Sequence, residues 1–212
     1  MVFFWTKTPQ TIKKLLRNYI WDVPNTTNTI YLTFDDGPIP EVTEWVLDVL
    51  KEENSKATFF CIGDNIQKHP TIYQRILNEG HKTGNHTFNH LNGWKTKNKN
   101  YIENVKQCKT EHLKLNTEQS FLFRAPYGKI TLSQSEKIQK LGYKIIMWDV
   151  LSYDFNTKIT AEKCKENVLK YTSAGSIIVL HDSIKAEKTL KKILPEIIQE
   201  QKNKGFKFDV LP

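Results

Sequence analysis

The chain has 212 residues, of which 39% are hydrophobic and 25% are charged, and its formal net charge is +8. This length is ordinary for one domain, which can bury a sufficient core without disulfides or a structural metal. The lysines are dispersed, and the sequence lacks zinc-finger spacing, leucine heptads and RNP-like motifs, which excludes the common nucleic-acid-binding modules.

Three widely separated cysteines, Cys61, Cys108 and Cys164, form no C-x-x-C pair. Their odd number and their spacing argue against a disulfide framework and against a zinc–thiolate site. Any metal that this chain binds is therefore expected to be catalytic rather than structural.

Residues 1–28 form an extension that we expect to be helical and packed on the domain. The extension is rich in aromatic and aliphatic side chains and carries Lys13, Lys14 and Arg17. This composition is also compatible with weak association with a membrane surface. The sequence shows no signal-peptide pattern and no apolar stretch long enough to span a bilayer. We therefore expect the protein in the cytoplasm or at the inner-membrane surface.

From residue 29 onward, short β-branched runs alternate with stretches that carry apolar residues at helical spacing. The predicted strands are 29–34, 56–62, 81–85, 120–124, 143–149, 176–181 and 205–210. The predicted helices are 41–53, 71–79, 101–114, 133–141, 161–171 and 187–202. This alternation predicts a parallel sheet covered by helices. Periodicity alone does not choose between a closed barrel and an open doubly wound sheet.

Polar residues occur where several of the predicted strands end. They are Asp35, Asp36, His86, Arg124, Asp149 and His181. In a barrel of parallel strands, the rim formed by the carboxyl ends of the strands carries the active site. The sequence therefore predicts a site at this rim.

The first of these positions is the pair Asp35-Asp36, which follows a hydrophobic strand and precedes Gly37-Pro38. Where the strand breaks, the two neighbouring carboxylates can point in different directions. One can then bind a metal while the other faces a substrate. A solvated turn explains the same composition equally well, because Asp, Gly and Pro all favour turns.

His86 and His90 are four residues apart. On a helical turn this spacing places both imidazoles on one side, where they can reach one metal ion. With a carboxylate they form the three-ligand set of a catalytic zinc. The alternative is two unrelated histidines near a loop, which is how we interpret His69, His81 and His112.

Three further segments carry groups suited to catalysis. Arg124 enters a Pro-Tyr-Gly turn and can hold a carboxylate bidentately, while the N–H groups of the turn can face an oxyanion. Residues 148–155 contain two acids and several aromatics. His181 ends a strongly hydrophobic strand and suits proton transfer near neutrality, although a structural histidine is the alternative.

In this order and spacing, the five segments resemble the polysaccharide deacetylase family, also called carbohydrate esterase family four. The resemblance covers residues 29–210. It implies an α/β fold, a single-domain distorted (β/α)7 barrel, with residues 29–212 as the catalytic domain. The implied activity is metal-dependent hydrolysis of the acetamide of an N-acetylated sugar, which releases acetate and a free amino sugar.

The resemblance also implies a metal site. Asp36, His86 and His90 match the metal-binding triad of the family. The metal is most often zinc, and cobalt or another divalent ion also suits this position.

Further roles are implied by the same matching. Asp35 matches the catalytic base, Arg124 the residue that orients it, and Tyr127 the residue whose backbone N–H stabilises the oxyanion. His181 matches the catalytic acid, and Asp154 the carboxylate that holds this histidine.

For the substrate, the resemblance implies that Leu180 forms the apolar wall beside the acetyl methyl group. Tyr127, Phe155 and Trp94 are aromatic residues near the motifs that can stack on a sugar ring. Phe155 stands where the family commonly has tryptophan. The sugar groove therefore lacks the larger area and the N–H donor of an indole.

The expected substrate is an N-acetylglucosamine-type poly- or oligosaccharide or a lipid-linked sugar, and no nucleic-acid partner is indicated. Two other functions stay open at this point. One is a metal-dependent hydrolase of another non-peptide C–N bond, and the other is a non-catalytic sugar-binding module. The oligomeric state is not readable from the sequence.

Overall fold

The computed structural model of the chain describes residues 5–116 and 120–212, so residues 1–4 of the predicted extension lie outside the described residues. The described helices are α1 (Gln10–Leu15), α2 (Val42–Glu52), α3 (Gly63–Lys68), α4 (Pro70–Asn78), α5 (Asn98–Leu115), α6 (Leu132–Lys140), α7 (Ala161–Tyr171) and α8 (Glu187–Asn203). The described strands are β1 (Thr29–Asp35), β2 (Ala57–Cys61), β3 (Lys82–Asn85), β4 (Leu122–Phe123), β5 (Lys144–Ile145), β6 (Val150–Leu151), β7 (Ile177–His181) and β8 (Lys207–Phe208).

The predicted helices are all present, and the largest shift is at the start of α5, which begins at Asn98 rather than at residue 101. The strand predicted over 143–149 is shorter, because the chain leaves the sheet after β5 and returns as β6. Sequence periodicity did not predict α3. This helix has no side-chain N-cap and buries only Gly63 and Ile66, so it leaves no helical period in the sequence.

The strands form one parallel sheet in the order β5-β4-β3-β2-β1-β7-β6, and β8 pairs with β1. The sheet curls into a half-barrel covered by helices, which confirms the predicted single-domain α/β architecture. Within the described ranges, β5 and β6 lie at opposite ends of the strand order and do not pair with each other. The barrel is therefore distorted by an opening between these two strands.

The N-terminal segment, residues 6–23, lies along this opening. Ile20 bridges Ile146 in parallel fashion, and Lys7 bridges Val150 in antiparallel fashion. The backbone N–H of Ile20 donates to the carbonyl of residue 145 at 2.8 Å, and the N–H of residue 151 donates to the carbonyl of residue 6 at 2.9 Å. The segment therefore supplies backbone hydrogen bonds to both edges, and only α1 within it is helical.

Asp149 anchors the N-terminal segment to the sheet. Its buried carboxylate accepts hydrogen bonds from the amines of Lys7 and Lys13, each at 2.5 Å, and from the Ser176 hydroxyl at 2.6 Å. The Lys13 amine also pairs with Asp22. Our expectation that Asp149 belongs to the catalytic rim is therefore wrong, because its charge is occupied by these two lysines.

Alternation along β1 and β7 separates the core from the inside of the curl. Ile30, Leu32 and Phe34 of β1 pack with Ile178 and Leu180 of β7 in one hydrophobic cluster beneath α2 and α8. Successive side chains of a strand point to opposite faces, so the residues between them face the inside of the curl. On that inner face, Tyr31 and Ile177 belong to a second hydrophobic cluster, and Asp35 and His181 lie farther along the same face, at the carboxyl ends of the two strands.

No helix within residues 5–116 and 120–212 has both the length and the apolar character needed to cross a membrane. The compartment that we expect for the protein stays a prediction.

Asp149→Asn removes the charge that Lys7 and Lys13 share. We expect the free energy of unfolding to fall by about 3 kcal/mol, because the two lysines are left without their buried counter-ion. We also expect faster trypsin cleavage within residues 7–17, since the N-terminal segment loses its anchor. Urea unfolding and the rate of limited proteolysis measure the two effects.

Asp48→Asn is the matched control for this change. Asp48 pairs with Arg75, but 60% of its side chain is exposed. We expect a loss below about 1 kcal/mol, as is usual for surface pairs. An equally small loss in Asp149→Asn, with unchanged proteolysis, would contradict the anchoring role.

Candidate active site

A cavity of about 330 Å³ lies at the carboxyl ends of the central strands. It is lined by Asp35, Asp36, His86, His90, Tyr127, Gly128, Trp148, Leu151, Phe155, Val179, His181, Ser183 and Lys185. The parallel arrangement brings these residues together, because all central strands end on the same side of the sheet. Of the six residues predicted at the rim, Asp35, Asp36, His86 and His181 line this cavity, whereas Arg124 and Asp149 do not.

Asp36, His86 and His90 each offer one ligand atom, and these atoms all lie within 4.8 Å of one another. Asp36 Oδ1 lies 3.2 Å from His90 Nε2 and 3.8 Å from His86 Nε2. Asp36 Oδ1 is buried and has no hydrogen-bond partner in the described part of the chain. Burying such an oxygen unsatisfied costs roughly 1–3 kcal/mol, which a bound cation would offset. The three residues therefore fit a divalent metal ion.

Hydrogen bonds on the far side of each imidazole orient the two histidines. His86 Nδ1 donates to the carbonyl of Arg124 at 2.9 Å, so its Nε2 carries the lone pair that faces Asp36. His90 Nδ1 lies 3.1 Å from the hydroxyl of Tyr127. The Nε2 atoms of both histidines are thus directed to the Asp36 carboxylate.

The helical turn that we predicted for these histidines is wrong. Residues 86–90 form a loop, with positive φ angles of 63° at Thr87 and 54° at His90. Asn104 on α5 accepts hydrogen bonds from the N–H groups of Phe88 and Asn89 at 2.8 and 3.0 Å. These bonds replace helical ones and hold the loop in a shape that still brings both imidazoles together.

The pKa shifts of two ligands favour cation binding. Burial by itself would raise the pKa of Asp36, but the surrounding imidazoles, first among them that of His90, hold it well below its ordinary value. Burial lowers the pKa of the His86 imidazole to about 4, although the Asp35 carboxylate opposes this effect. At neutral pH Asp36 is an anion and His86 is a neutral imidazole, which are the forms that bind metals.

Asp35 sits beside this set, held by a buried arginine. Arg124 is fully buried and donates to Asp35 Oδ1 and to the Thr33 hydroxyl, both at 2.7 Å. Its guanidinium also donates to the carbonyls of Ile146 and Met147 and packs 4.1 Å from the Phe60 ring centroid. The second oxygen, Asp35 Oδ2, lies 4.0 Å from His86 Nε2. One oxygen is therefore fixed in place while the other borders the cavity.

His181 faces Asp35 from the next strand, because β1 and β7 pair in parallel with these two residues in register. Asp154 accepts from His181 at Nδ1 and at the backbone N–H, at 2.8 and 2.7 Å. Burial by itself would lower the pKa of His181, but Asp154, together with the other carboxylates of the cavity, raises it to about 9. At neutral pH His181 is an imidazolium that can donate a proton from Nε2.

The structure places Leu180 outside the cavity, which corrects its expected role as a wall. Its side chain is fully buried in the core, on the face of β7 opposite to His181. Val179 shares the face of His181 and lines the cavity together with Leu151. Alternation along the strand was the signal that would have identified Val179 from the sequence.

The three aromatic candidates are not equivalent. Tyr127 and Phe155 line the cavity, and the Phe155 ring lies 4.8 Å from that of His181. Trp94 is 61% exposed and does not line the cavity. The Lys129 amine lies 5.5 Å from the centroid of the Trp94 ring and 6.0 Å from that of the Tyr127 ring, so the same lysine lies near both rings.

Two polar residues of the cavity, Ser183 and Lys185, were not predicted. They follow His181 in the loop before α8. Residues of this type in a loop carry no periodic signal, so only their position in the folded chain identifies them.

Comparison with known proteins identifies relatives of the chain. A sequence profile for polysaccharide deacetylases matches residues 22–146. A peptidoglycan-N-acetylglucosamine deacetylase from Bacillus cereus is 34% identical over 200 residues, which are 89% of this chain and 88% of that protein. A chitooligosaccharide deacetylase from Azorhizobium caulinodans is 35% identical over 160 residues, which are 73% of this chain and 74% of that protein.

A solved structure extends the likeness to three dimensions. It is a crystal structure of a peptidoglycan N-acetylglucosamine deacetylase in complex with 4-naphthalen-1-yl-N-oxidanyl-benzamide. The TM-score is 0.88 at 34% identity, over 98% of this chain and 96% of the other.

Asp154→Asn tests the electrostatic origin of the His181 charge. We expect the pKa of His181 to fall from about 9 by about 1–3 pH units, because burial then acts without the strongest opposing charge. NMR titration of the imidazole in metal-free protein measures this change. Asp48→Asn, with its exposed side chain, is the control and should leave the pKa of His181 where it is. An unchanged His181 pKa in Asp154→Asn would contradict the assignment.

Proposed function

The chain belongs to the polysaccharide deacetylase family and hydrolyses the acetamide of N-acetylated sugars, and we propose that a metal ligand set, a base and an acid in its cavity carry out this reaction. The observation that carries the proposal is the placement of Asp35 and the His181 imidazolium in register on β1 and β7, beside the three grouped ligand atoms. A metal ion, a general base and a general acid together supply what hydrolysis of an amide by water requires.

Asp36, His86 and His90 would hold the metal on which deacetylases of this family depend. A bound divalent ion supplies Lewis acidity, which polarises a carbonyl oxygen and lowers the pKa of water. We propose zinc, because two neutral imidazoles and one carboxylate form a common catalytic zinc set. Cobalt and other divalent ions also accept these donors.

Asp35 is the proposed base. Its Oδ1 is tied to Arg124, so Oδ2 is the oxygen that accepts a proton from the water that attacks the acetamide carbon. The ion pair with Arg124 compensates the charge of Asp35 in surroundings where only 5% of this residue is exposed. Arg124 therefore orients the base without reaching the substrate.

His181 is the proposed acid. Its Nδ1 is bound to Asp154, so Nε2 faces the cavity and can protonate the departing nitrogen. An amine leaves far more readily than an amide anion, which makes this proton transfer necessary. Asp154 keeps the imidazole in the correct orientation and stabilises its charged form.

Tyr127 is the proposed oxyanion donor. Its φ angle is 59°, and its backbone N–H has no acceptor that we find among residues 5–116 and 120–212. A backbone N–H at a cavity wall can stabilise the negative oxygen of the tetrahedral intermediate, an interaction worth about 2.7–4 kcal/mol in other hydrolases.

For the substrate we propose a glycan that contains N-acetylglucosamine, such as peptidoglycan or a chitooligosaccharide, the compounds after which the relatives are named. Val179 and Leu151 would form the apolar wall beside the acetyl methyl group in place of Leu180. Tyr127 and Phe155 would contact the reacting sugar. The exposed Trp94 would stack on a neighbouring sugar of the same glycan.

Acetate release from N-acetylglucosamine oligomers tests the proposal. Metal-loaded wild-type protein should release acetate, whereas chelated protein should not. Asp35→Asn should reduce kcat by about 100-fold or more, because general base catalysis contributes about 10²–10⁴-fold. Asp48→Asn makes the same chemical change at an exposed site and should retain wild-type activity.

A metal-loaded wild-type protein that releases no acetate from these oligomers or from peptidoglycan would contradict the proposed substrate. Activity on a panel of non-sugar amides would then favour the alternative hydrolase of another C–N bond. Acetate release that persists in Asp35→Asn would contradict the assigned base.

A further inference from the structure

Asp182 is a buried acid that the proposed reaction does not use. It directly follows His181, is 0% exposed, and does not line the cavity. Its backbone N–H donates to the carbonyl of Asp35 at 3.1 Å. A fully buried carboxyl group has to form its hydrogen bonds within the protein. The partners of Asp182 therefore indicate which part of the structure its side chain holds in place.

The side chain of Asp182 binds the loop that carries Asp36. Asp182 Oδ1 accepts from the backbone N–H of Gly37 at 3.0 Å, and Oδ2 accepts from the Thr43 hydroxyl at 2.6 Å. A Cβ atom on Gly37 would lie 2.0 Å from Asp182 Oδ2, so only glycine permits this approach. Asp182 therefore contacts the loop at Gly37, the residue that directly follows the metal ligand Asp36.

The peptide unit between Asp36 and Gly37 is held at both of its polar atoms. Its N–H is bound by Asp182, and its carbonyl accepts from Asn65 Nδ2 at 2.7 Å. Two side chains on different elements therefore set the plane of this one peptide. Because that plane follows Asp36 directly, it also restricts the direction in which the Asp36 side chain leaves the backbone.

This restraint is needed because Asp36 has an unfavourable backbone conformation. Its φ angle is 89°, well inside the region that residues other than glycine avoid. Such a conformation costs of order 1–3 kcal/mol and persists only where the surroundings determine it. The bonds from Asp182 and Asn65 are the polar contacts that act on the peptide unit following Asp36.

Thr43, in the first turn of α2, orients the acid. Its hydroxyl donates to Asp182 Oδ2 and accepts from the backbone N–H of Ile39 at 2.8 Å. The hydroxyl has one proton, and the N–H of Ile39 can only donate, so this proton is committed to Asp182. Thr43 is fully buried, and its geometry is therefore set by packing.

We propose that Asp182, oriented by Thr43, is a positioning residue that holds the strained Asp36 peptide so that Asp36 is directed to His86 and His90 as a metal ligand. The proposal rests on the metal site of the proposed function. It assigns Asp182 no contact with the substrate. Its consequence is that the metal affinity of the chain depends on a hydroxyl on α2, outside the cavity.

Thr43→Val tests this dependence in the full chain, with the dissociation constant of Zn²⁺ measured by competition with a chromogenic chelator. We expect binding to weaken by about 10- to 100-fold, the range seen when partners of metal ligands are lost. Thr43→Ser keeps the hydroxyl and should restore wild-type affinity. Urea unfolding of the metal-free protein records the loss of stability separately.

Thr58→Val is the matched control. Thr58 is also fully buried, and its hydroxyl accepts a backbone hydrogen bond from Leu211 at 3.0 Å, away from the cavity. It should lose stability but keep its Zn²⁺ affinity. Equal Zn²⁺ affinities of Thr43→Val and wild type, or equal weakening in Thr58→Val, would overturn the proposal.

Asn65→Ala removes the other bond to the same peptide and supplies a second variant should Thr43→Val not fold. It should also weaken Zn²⁺ binding, and unchanged affinity would contradict the role of the peptide restraint. The Zn²⁺ measurement does not depend on acetate release. A wild-type protein that binds Zn²⁺ but is inactive on sugars would therefore refute the proposed function and leave this inference testable.

Discussion

A buried guanidinium lies at the centre of the curled sheet, and the geometry of the site depends on it. Arg124 follows β4 and is fully buried, a state that is tolerated only when its charge and its donors are satisfied. Its side chain binds Asp35 and Thr33 on β1 and the carbonyls of Ile146 and Met147 after β5. Its own carbonyl accepts from His86. One residue thus fixes the base and one metal ligand relative to each other.

Two imidazoles of the same cavity are held in opposite protonation states by their surroundings. Burial lowers the pKa of the His86 imidazole to about 4, although the Asp35 carboxylate and the hydrogen bond to the Arg124 carbonyl oppose this effect. His181 is bound to the carboxylate of Asp154, and its pKa rises to about 9. The first is suited to bind a metal and the second to donate a proton. Burial therefore sets the charge of one imidazole and neighbouring carboxylates, Asp154 foremost, set that of the other, which separates two roles for the same side chain.

Backbone strain is concentrated around the cavity. Of the eight residues other than glycine that have positive φ angles in the described ranges, five lie in the segments that build the site: Asp36, Thr87, His90, Tyr127 and Tyr153. Strained conformations persist where the surrounding structure determines them. The bonds from Asp182 to the Gly37 peptide and from Asn104 to the loop of residues 86–90 are such determinants. The rigid sheet beneath these loops provides the fixed positions from which those bonds are made.

The sequence by itself determined the strand–helix alternation, the parallel sheet and the side chains at the strand ends, because each of these is a local pattern of period or position. Leu180 shows the limit of a local motif, since its neighbour Val179 takes the cavity face by alternation along β7. Only the tertiary structure decided that Asp149 pairs with lysines of the N-terminal segment, 136 and 142 residues away. It also brought Asp182 to Gly37 across 145 residues of chain. Contacts of this kind leave no period in the sequence, because they arise from the curl of the sheet and not from neighbouring residues.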